Sequence, residues 1–104
     1  MAGPEKRYEI KVRKYLESKG CWVLKTFSNG VQRAGVPDLL VCLPNGMFAG
    51  LEIKGPDGKP SELQLWNIRK IREAGGYARL LYPKDYEQFV DEIESLISRG
   101  FKHE

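Results

Sequence analysis

Three side chains in this sequence could do chemistry together: Asp38, Glu52 and Lys54. Met47 to Lys54 reads as a β-strand, so Glu52 and Lys54, two apart, leave one face while Ile53 points the other way into a core. A strand that ends by setting a carboxylate beside an amine is unusual. Asp38 joins them if the loop between its own strand, Asp38 to Leu43, and the next has the right length. A two-residue Asn45-Gly46 turn would set Asp38 opposite Ile53, on the wrong side, whereas a three-residue Pro44-Asn45-Gly46 loop sets it opposite Glu52. Proline suits the first position of a type I turn and glycine the left-handed position that closes a three-residue hairpin, so the second register is expected. Two acidic groups held together repel unless a cation lies between them, and hard oxygen ligands suit Mg²⁺ or Mn²⁺. Such a metal lowers the pKa of a bound water and polarises a phosphoryl oxygen, while Lys54 orients the nucleophile or neutralises developing charge. That chemistry is phosphodiester hydrolysis.

The elements that must position these groups follow from pattern. Glu5 to Lys19 carries Tyr8, Val12, Tyr15 and Leu16 at helical spacing and ends at Gly20. Cys21 to Phe27 reads as a strand, followed by a loop from Ser28 to Gly35. Beyond the hairpin, Gly55 to Pro60 is a loop, Ser61 a credible N-cap, and Glu62 to Ala74 a helix stopped by Gly75-Gly76. Tyr77 to Tyr82 is a fourth strand, and Asp85 to Ser98 an acidic last helix with a structural role. The order is αβββαβα. In the second helix Gln64 falls on the face of Leu65, Ile68 and Ile71, and an amide on that face needs a partner, which the cluster at the strand ends could supply. Leu63 and Trp66 lie on the other side, to be covered either by the last helix or by a second subunit.

Length and composition narrow the classes. A chain of 104 residues with 41% hydrophobic and 30% charged residues makes one domain, residues 1–104, with a real core. The longest apolar run, Leu39 to Leu43, is far too short to span a bilayer, and the start lacks the apolar stretch of a signal peptide, so a soluble cytoplasmic protein with no membrane partner is expected. Cys21 and Cys42, each in an apolar stretch, read as reduced small hydrophobes. With a single histidine, His103, in the tail, most histidine-based catalysis is removed and a four-ligand structural zinc site is excluded, so any metal must be held by carboxylates. Residues 1–82 carry 14 basic and 8 acidic side chains, against 3 and 6 in residues 83–104, so the body suits a polyanionic partner. The loop from Gly55 to Ser61 lacks the spacing of a nucleotide-phosphate loop.

Pro37-Asp38, then Glu52-Ile53-Lys54, preceded by a glutamate-bearing helix and followed by Ser61-Glu62-Leu63-Gln64, resembles the PD-(D/E)XK nuclease superfamily. Gly35-Val36-Pro37-Asp38, Leu51-Glu52-Ile53-Lys54, Ser61 to Gln64 and Ala74-Gly75-Gly76 are similar to the virus-type replication-repair nuclease (VRR-NUC) domain of stand-alone phage and bacterial proteins, over nearly the whole chain. The resemblance implies an α/β restriction-endonuclease-like core, αβββαβ plus a C-terminal helix, with a mixed central sheet flanked by helices. It implies that Asp38, Glu52 and the carbonyl of Ile53 hold the metal, that Lys54 is the catalytic lysine and that Gln64 supports the site. Glu9 matches the helix glutamate of related archaeal junction resolvases when aligned on Gly20, with Glu5 as the alternative ligand and an ion pair with Arg13 as the plainer role of Glu9. Dimeric members able to cut branched DNA such as four-way junctions are also implied. Lys25, Ser28 and Arg33, at the loop beside Asp38, are the candidate contacts to the DNA backbone. Lys6, Arg7, Lys11, Arg13 and Lys14 form a basic helix face that is either simply solvated or in part set against phosphates. A non-catalytic DNA-binding or assembly module on the same fold, or a nuclease preferring flaps or single strands, is the alternative.

Overall fold

The computed structural model describes residues 3–27 and 34–99. Its elements run α1 (Pro4–Ser18), β1 (Trp22–Lys25), β2 (Leu39–Cys42), β3 (Phe48–Ile53), α2 (Glu62–Glu73), β4 (Tyr77–Leu81), a 3₁₀ turn (Pro83–Asp85) and α3 (Tyr86–Arg99). The four strands form one sheet in the order β1-β2-β3-β4. The first two pairings are antiparallel, and β3 and β4 are parallel, joined through α2 by the crossover that parallel neighbours need. The expected αβββαβα order and mixed sheet are both present. β1 is shorter than the Cys21 to Phe27 read from sequence, although Thr26 N–H still reaches the Asp38 carbonyl at 2.8 Å.

The two faces of the sheet are used differently. Val12 and Leu16 of α1, Leu39 and Val41 of β2, Ala49, Leu51 and Ile53 of β3, Leu81 of β4, and Phe89 and Ile93 of α3 make the main core, nearly all of it inaccessible to solvent. Edge-on ring contacts of Tyr15 with Tyr86 and Phe89 seal α1 against α3, pairs worth about 0.5–1.5 kcal/mol each beyond the area they bury. The opposite face receives α2, which packs over β3 and β4 through Ile68 and Ile71. Here the alternate residues of β3, Gly50 and Glu52, and of β4, Ala78 and Leu80, lie side by side in register. The half of this face built by β1 and β2 lies beyond the reach of α2, and Trp22, Leu24, Cys42 and Phe48 stand exposed on it.

Three expectations about burial are corrected. Cys21 is buried as expected, but Cys42 is exposed, because its pairing with Trp22 and Phe48 turns it to the open half-face. The buried stripe of α2 centres on Gln64, Asn67, Ile68 and Ile71, which leaves Leu65 on the flank and 41% exposed. The last helix lies against α1 on the far side of the sheet, so it does not cover Leu63 and Trp66, and both remain exposed.

Candidate active site

The hairpin register is what gathers the site. Leu39 pairs with Leu51, Leu40 with Gly50, Val41 with Ala49 and Cys42 with Phe48, the register of the three-residue loop, with Gly46 at φ +88° closing the turn. One step further, Asp38 comes opposite Glu52, and its Oδ2 accepts the Ile53 N–H at 2.9 Å. Upstream, Gly35 sits at φ +81°, and a Cβ there would come within 2.9 Å of the α2 backbone at Leu63. Only glycine lets the chain pass under α2 and deliver Pro37-Asp38 to the sheet edge. Thr26 fastens that segment with its hydroxyl on the Pro37 carbonyl at 2.9 Å.

Glu52 is 3% exposed. Its Oε2 accepts a 2.7 Å hydrogen bond from Gln64 Nε2, while its Oε1 is buried with no hydrogen-bond partner. Lys54 Nζ lies 3.2 Å from Gln64 Oε1, 3.2 Å from the Lys59 carbonyl and 3.7 Å from Glu52 Oε2. The Gln64 amide therefore donates to the carboxylate and accepts from the ammonium, and its Oε1 also takes the Ser61 N–H at 2.8 Å while Ser61 Oγ accepts the Gln64 N–H at 3.1 Å. That reciprocal pair is a capping box, so the start of α2 and the orientation of the site amide are one arrangement.

Burial is the first cause of the electrostatics here. It lifts the Glu52 carboxyl to about 7, reinforced by the charge of Asp38 and only partly opposed by Lys54. Burial also raises Asp38, outweighing the Ile53 N–H and the charge of Lys25. Two adjacent carboxyls, one with an unsatisfied buried oxygen, are what a hard divalent cation would relieve, and Asp38, Glu52 Oε1 and the Ile53 carbonyl form an all-oxygen donor set of the right chemistry.

The structure brings Asp38, Glu52, Ile53, Lys54 and Gln64 together but not Glu9. Glu9 is buried on the α1 face of the sheet, with Lys25 Nζ 2.8 Å from Oε1 and Lys6 and Arg13 at 3.3 and 3.4 Å from Oε2. Burial alone would raise this carboxyl, yet Lys25 and Lys6 outweigh it and hold it below its ordinary value. The expected grouping of Glu9 with Asp38 and Glu52 is thus corrected: alternation puts Lys25 and Glu9 on one face and Glu52 on the other. The α1 carboxylate whose charge reaches Asp38 is Glu5, which also accepts the Gly55 N–H at 3.3 Å. Among the described residues no third acidic, histidine or cysteine side chain completes a ligand cluster. Of the expected DNA contacts, Lys25 is committed to Glu9, and Ser28 and Arg33 lie outside the described residues. Sequence reading missed the Lys59 carbonyl, Thr26 and the buried Asn67, whose Nδ2 reaches the Leu63 carbonyl; backbone acceptors leave no mark in residue types.

No family model matches the chain. Over 61 residues, 59% of the chain, it is 34% identical to the curated protein "Putative nuclease p44" of Acyrthosiphon pisum secondary endosymbiont phage 1, and the match spans 66% of that protein's length. It is also similar to a solved structure described as a VRR_NUC domain, with a TM-score of 0.68 and 28% identity, over 96% of this chain and all of the other.

Proposed function

The chain belongs to the VRR-NUC family, on the PD-(D/E)XK fold, and from that premise we propose that it is an Mg²⁺- or Mn²⁺-dependent DNA endonuclease that hydrolyses phosphodiester bonds in branched DNA such as four-way junctions. The observation that carries this reading is the buried Glu52 carboxyl, its Oε1 unpartnered, set between half-buried Asp38 and Lys54. Asp38, Glu52 and the Ile53 carbonyl would hold the cation, with Glu5 the α1 carboxylate whose charge reaches Asp38. When bound, the cation supplies Lewis acidity toward the phosphoryl oxygen and an acidified water. The remaining work falls to the chain. Lys54, 12% exposed and fixed by Gln64 and Lys59, directs an ammonium to the place where charge builds on the phosphate. Gln64 keeps Glu52 turned with Oε1 toward the ligand position and holds Lys54 at the same time.

The phage relative's name supports a nuclease, and symmetrical incision of a four-way junction needs two active sites, which for a chain with one site means a two-fold dimer. The test is metal-dependent nicking of a plasmid and cleavage of a panel of single-stranded, flap, duplex and four-way substrates. Asp38→Ala and Glu52→Ala should abolish cleavage and leave the fold intact, and Lys54→Ala should keep metal binding and lose turnover, since an ammonium cannot be a ligand. Full activity in either carboxylate variant refutes the mechanism. DNA binding without cleavage by the wild type would favour a non-catalytic module on this fold.

A further inference from the structure

On the β4 side of the Asp38–Glu52 cluster the same edge of the sheet opens into a groove of about 940 Å³. One wall is the loop 55–60 and the other is Tyr82, Pro83 and Lys84, immediately after β4. The loop is exposed for much of its length yet held at many points. Gly58 N–H bonds the Gly55 carbonyl at 3.1 Å, Tyr82 Oη donates to the Gly58 carbonyl at 2.8 Å, and Lys54 Nζ donates to the Lys59 carbonyl. A Cβ at Gly58 would press on the Lys54 side chain at 3.2 Å, so the loop lies directly against the candidate catalytic lysine. The wall is therefore built in advance, which reduces the ordering cost of binding.

The exposed charges on these walls are two lysines and one aspartate. Lys59 and Lys84 are exposed, and among the described residues neither has an ion-pair partner at salt-bridge distance. Lys84 lies over the Tyr82 ring, 5.8 Å from its centroid, so that face of the ring is occupied and a stacked base is not its natural guest. Asp57 is the opposing charge in the lining, while Asp85 is taken up by Arg79 at 3.4 Å. Alongside Pro56, Pro60 and Pro83, whose apolar rings suit the sugars of a nucleic-acid backbone, the two lysines suit its phosphate oxygens.

We propose that this groove is the track for the DNA backbone on the β4 side of the scissile phosphate, with Lys59 and Lys84 as its phosphate contacts; the proposal rests on the nuclease reading above. It gives the substrate a polarity across the sheet edge, entering by Asp38 and leaving between loop 55–60 and Tyr82. Binding of a fluorescent four-way junction and a duplex is measured by anisotropy in EDTA across a salt series, so that cleavage plays no part. The Lys59→Gln/Lys84→Gln variant should bind both roughly tenfold more weakly at low salt, with its duplex log K against log salt slope shallower by about 1.8, two contacts at 0.9 each. A Lys19→Gln/Arg99→Gln variant, with the same charge change on exposed side chains at the ends of α1 and α3, controls for bulk charge and should change much less. Wild-type affinity and slope in the first variant, or equal losses in both, overturn the groove while leaving the nuclease reading intact. A wild type that neither binds nor cuts DNA overturns both.

Discussion

At Glu52 the burial of the carboxyl and the charge of Asp38 act in one direction, which ties stability to occupancy. With a pKa of about 7 in the folded chain against 4.5 ordinarily, the folded state holds more protons than the unfolded state between those values, so stability falls as pH rises through that window. Asp38, also raised by burial, adds to the same slope. Glu9 runs the other way, because burial is outweighed there by Lys25 and Lys6 and the stability it confers is lost only as pH falls through its lowered value. Thermal unfolding of the metal-free chain should therefore show a higher Tm at pH 5 than at pH 8. Mg²⁺ should raise Tm at pH 8 and do much less at pH 5, and Glu52→Gln should flatten both responses. A metal-free Tm that climbs from pH 5 to pH 8 would refute this account. Gln64 allows a sharper substitution, since a capping box accepts glutamate as readily as glutamine. Gln64→Glu should keep the start of α2 yet place a carboxylate against Glu52 Oε2, giving a folded protein without cleavage activity.

At the level of elements, the start of α2 and the approach to β2 are the joints that set the site. Ser61→Ala removes the acceptor of the Gln64 N–H and should cost about 1 kcal/mol, lowering Tm by roughly 4–8 °C while the Ser61 N–H still holds the amide. Gly35→Ala should cost more, because it combines a left-handed backbone with a clash against the Leu63 backbone, and calorimetry of the two variants would rank them. These joints also divide what could be read in advance from what could not. The three-residue loop at Pro44 to Gly46 could be foreseen because turn chemistry fixes register, and register fixes which side chains share a face. The Gln64–Glu52 contact could be foreseen because a core-facing amide demands a partner. The place of Glu9 could not, since a helical wheel gives a residue's angle on its own helix and not the face of the sheet that helix will cover. The contribution of Lys59 was hidden for another reason: it acts through a carbonyl that every residue type has.

At the scale of the whole molecule, several large apolar side chains stand on the surface. Leu63 and Trp66 on α2 are 45% and 39% exposed, and Trp22, Leu24 and Phe48 are 61%, 45% and 43% exposed on the half-face that α2 leaves open. If the second copy in the proposed dimer covers Trp66, Trp66→Glu should give a folded monomer by light scattering and lose junction cleavage more severely than plasmid nicking. A wild type that is monomeric at all practical concentrations refutes that assembly. The strand at the centre has a different kind of consequence. Along β3, Ala49, Leu51 and Ile53 fill the main core, while Gly50, Glu52 and then Lys54 face α2 and the site. Heritable change can therefore run on two tracks, one on either side of this strand. The even-numbered positions are held fixed by the roles of Glu52 and Lys54, so a lineage altering what it cuts draws on their neighbours in α2, while one gaining heat tolerance can draw on the odd-numbered ones. Where such changes lie well apart across the sheet their effects should add, so either trait can drift without forfeiting the other.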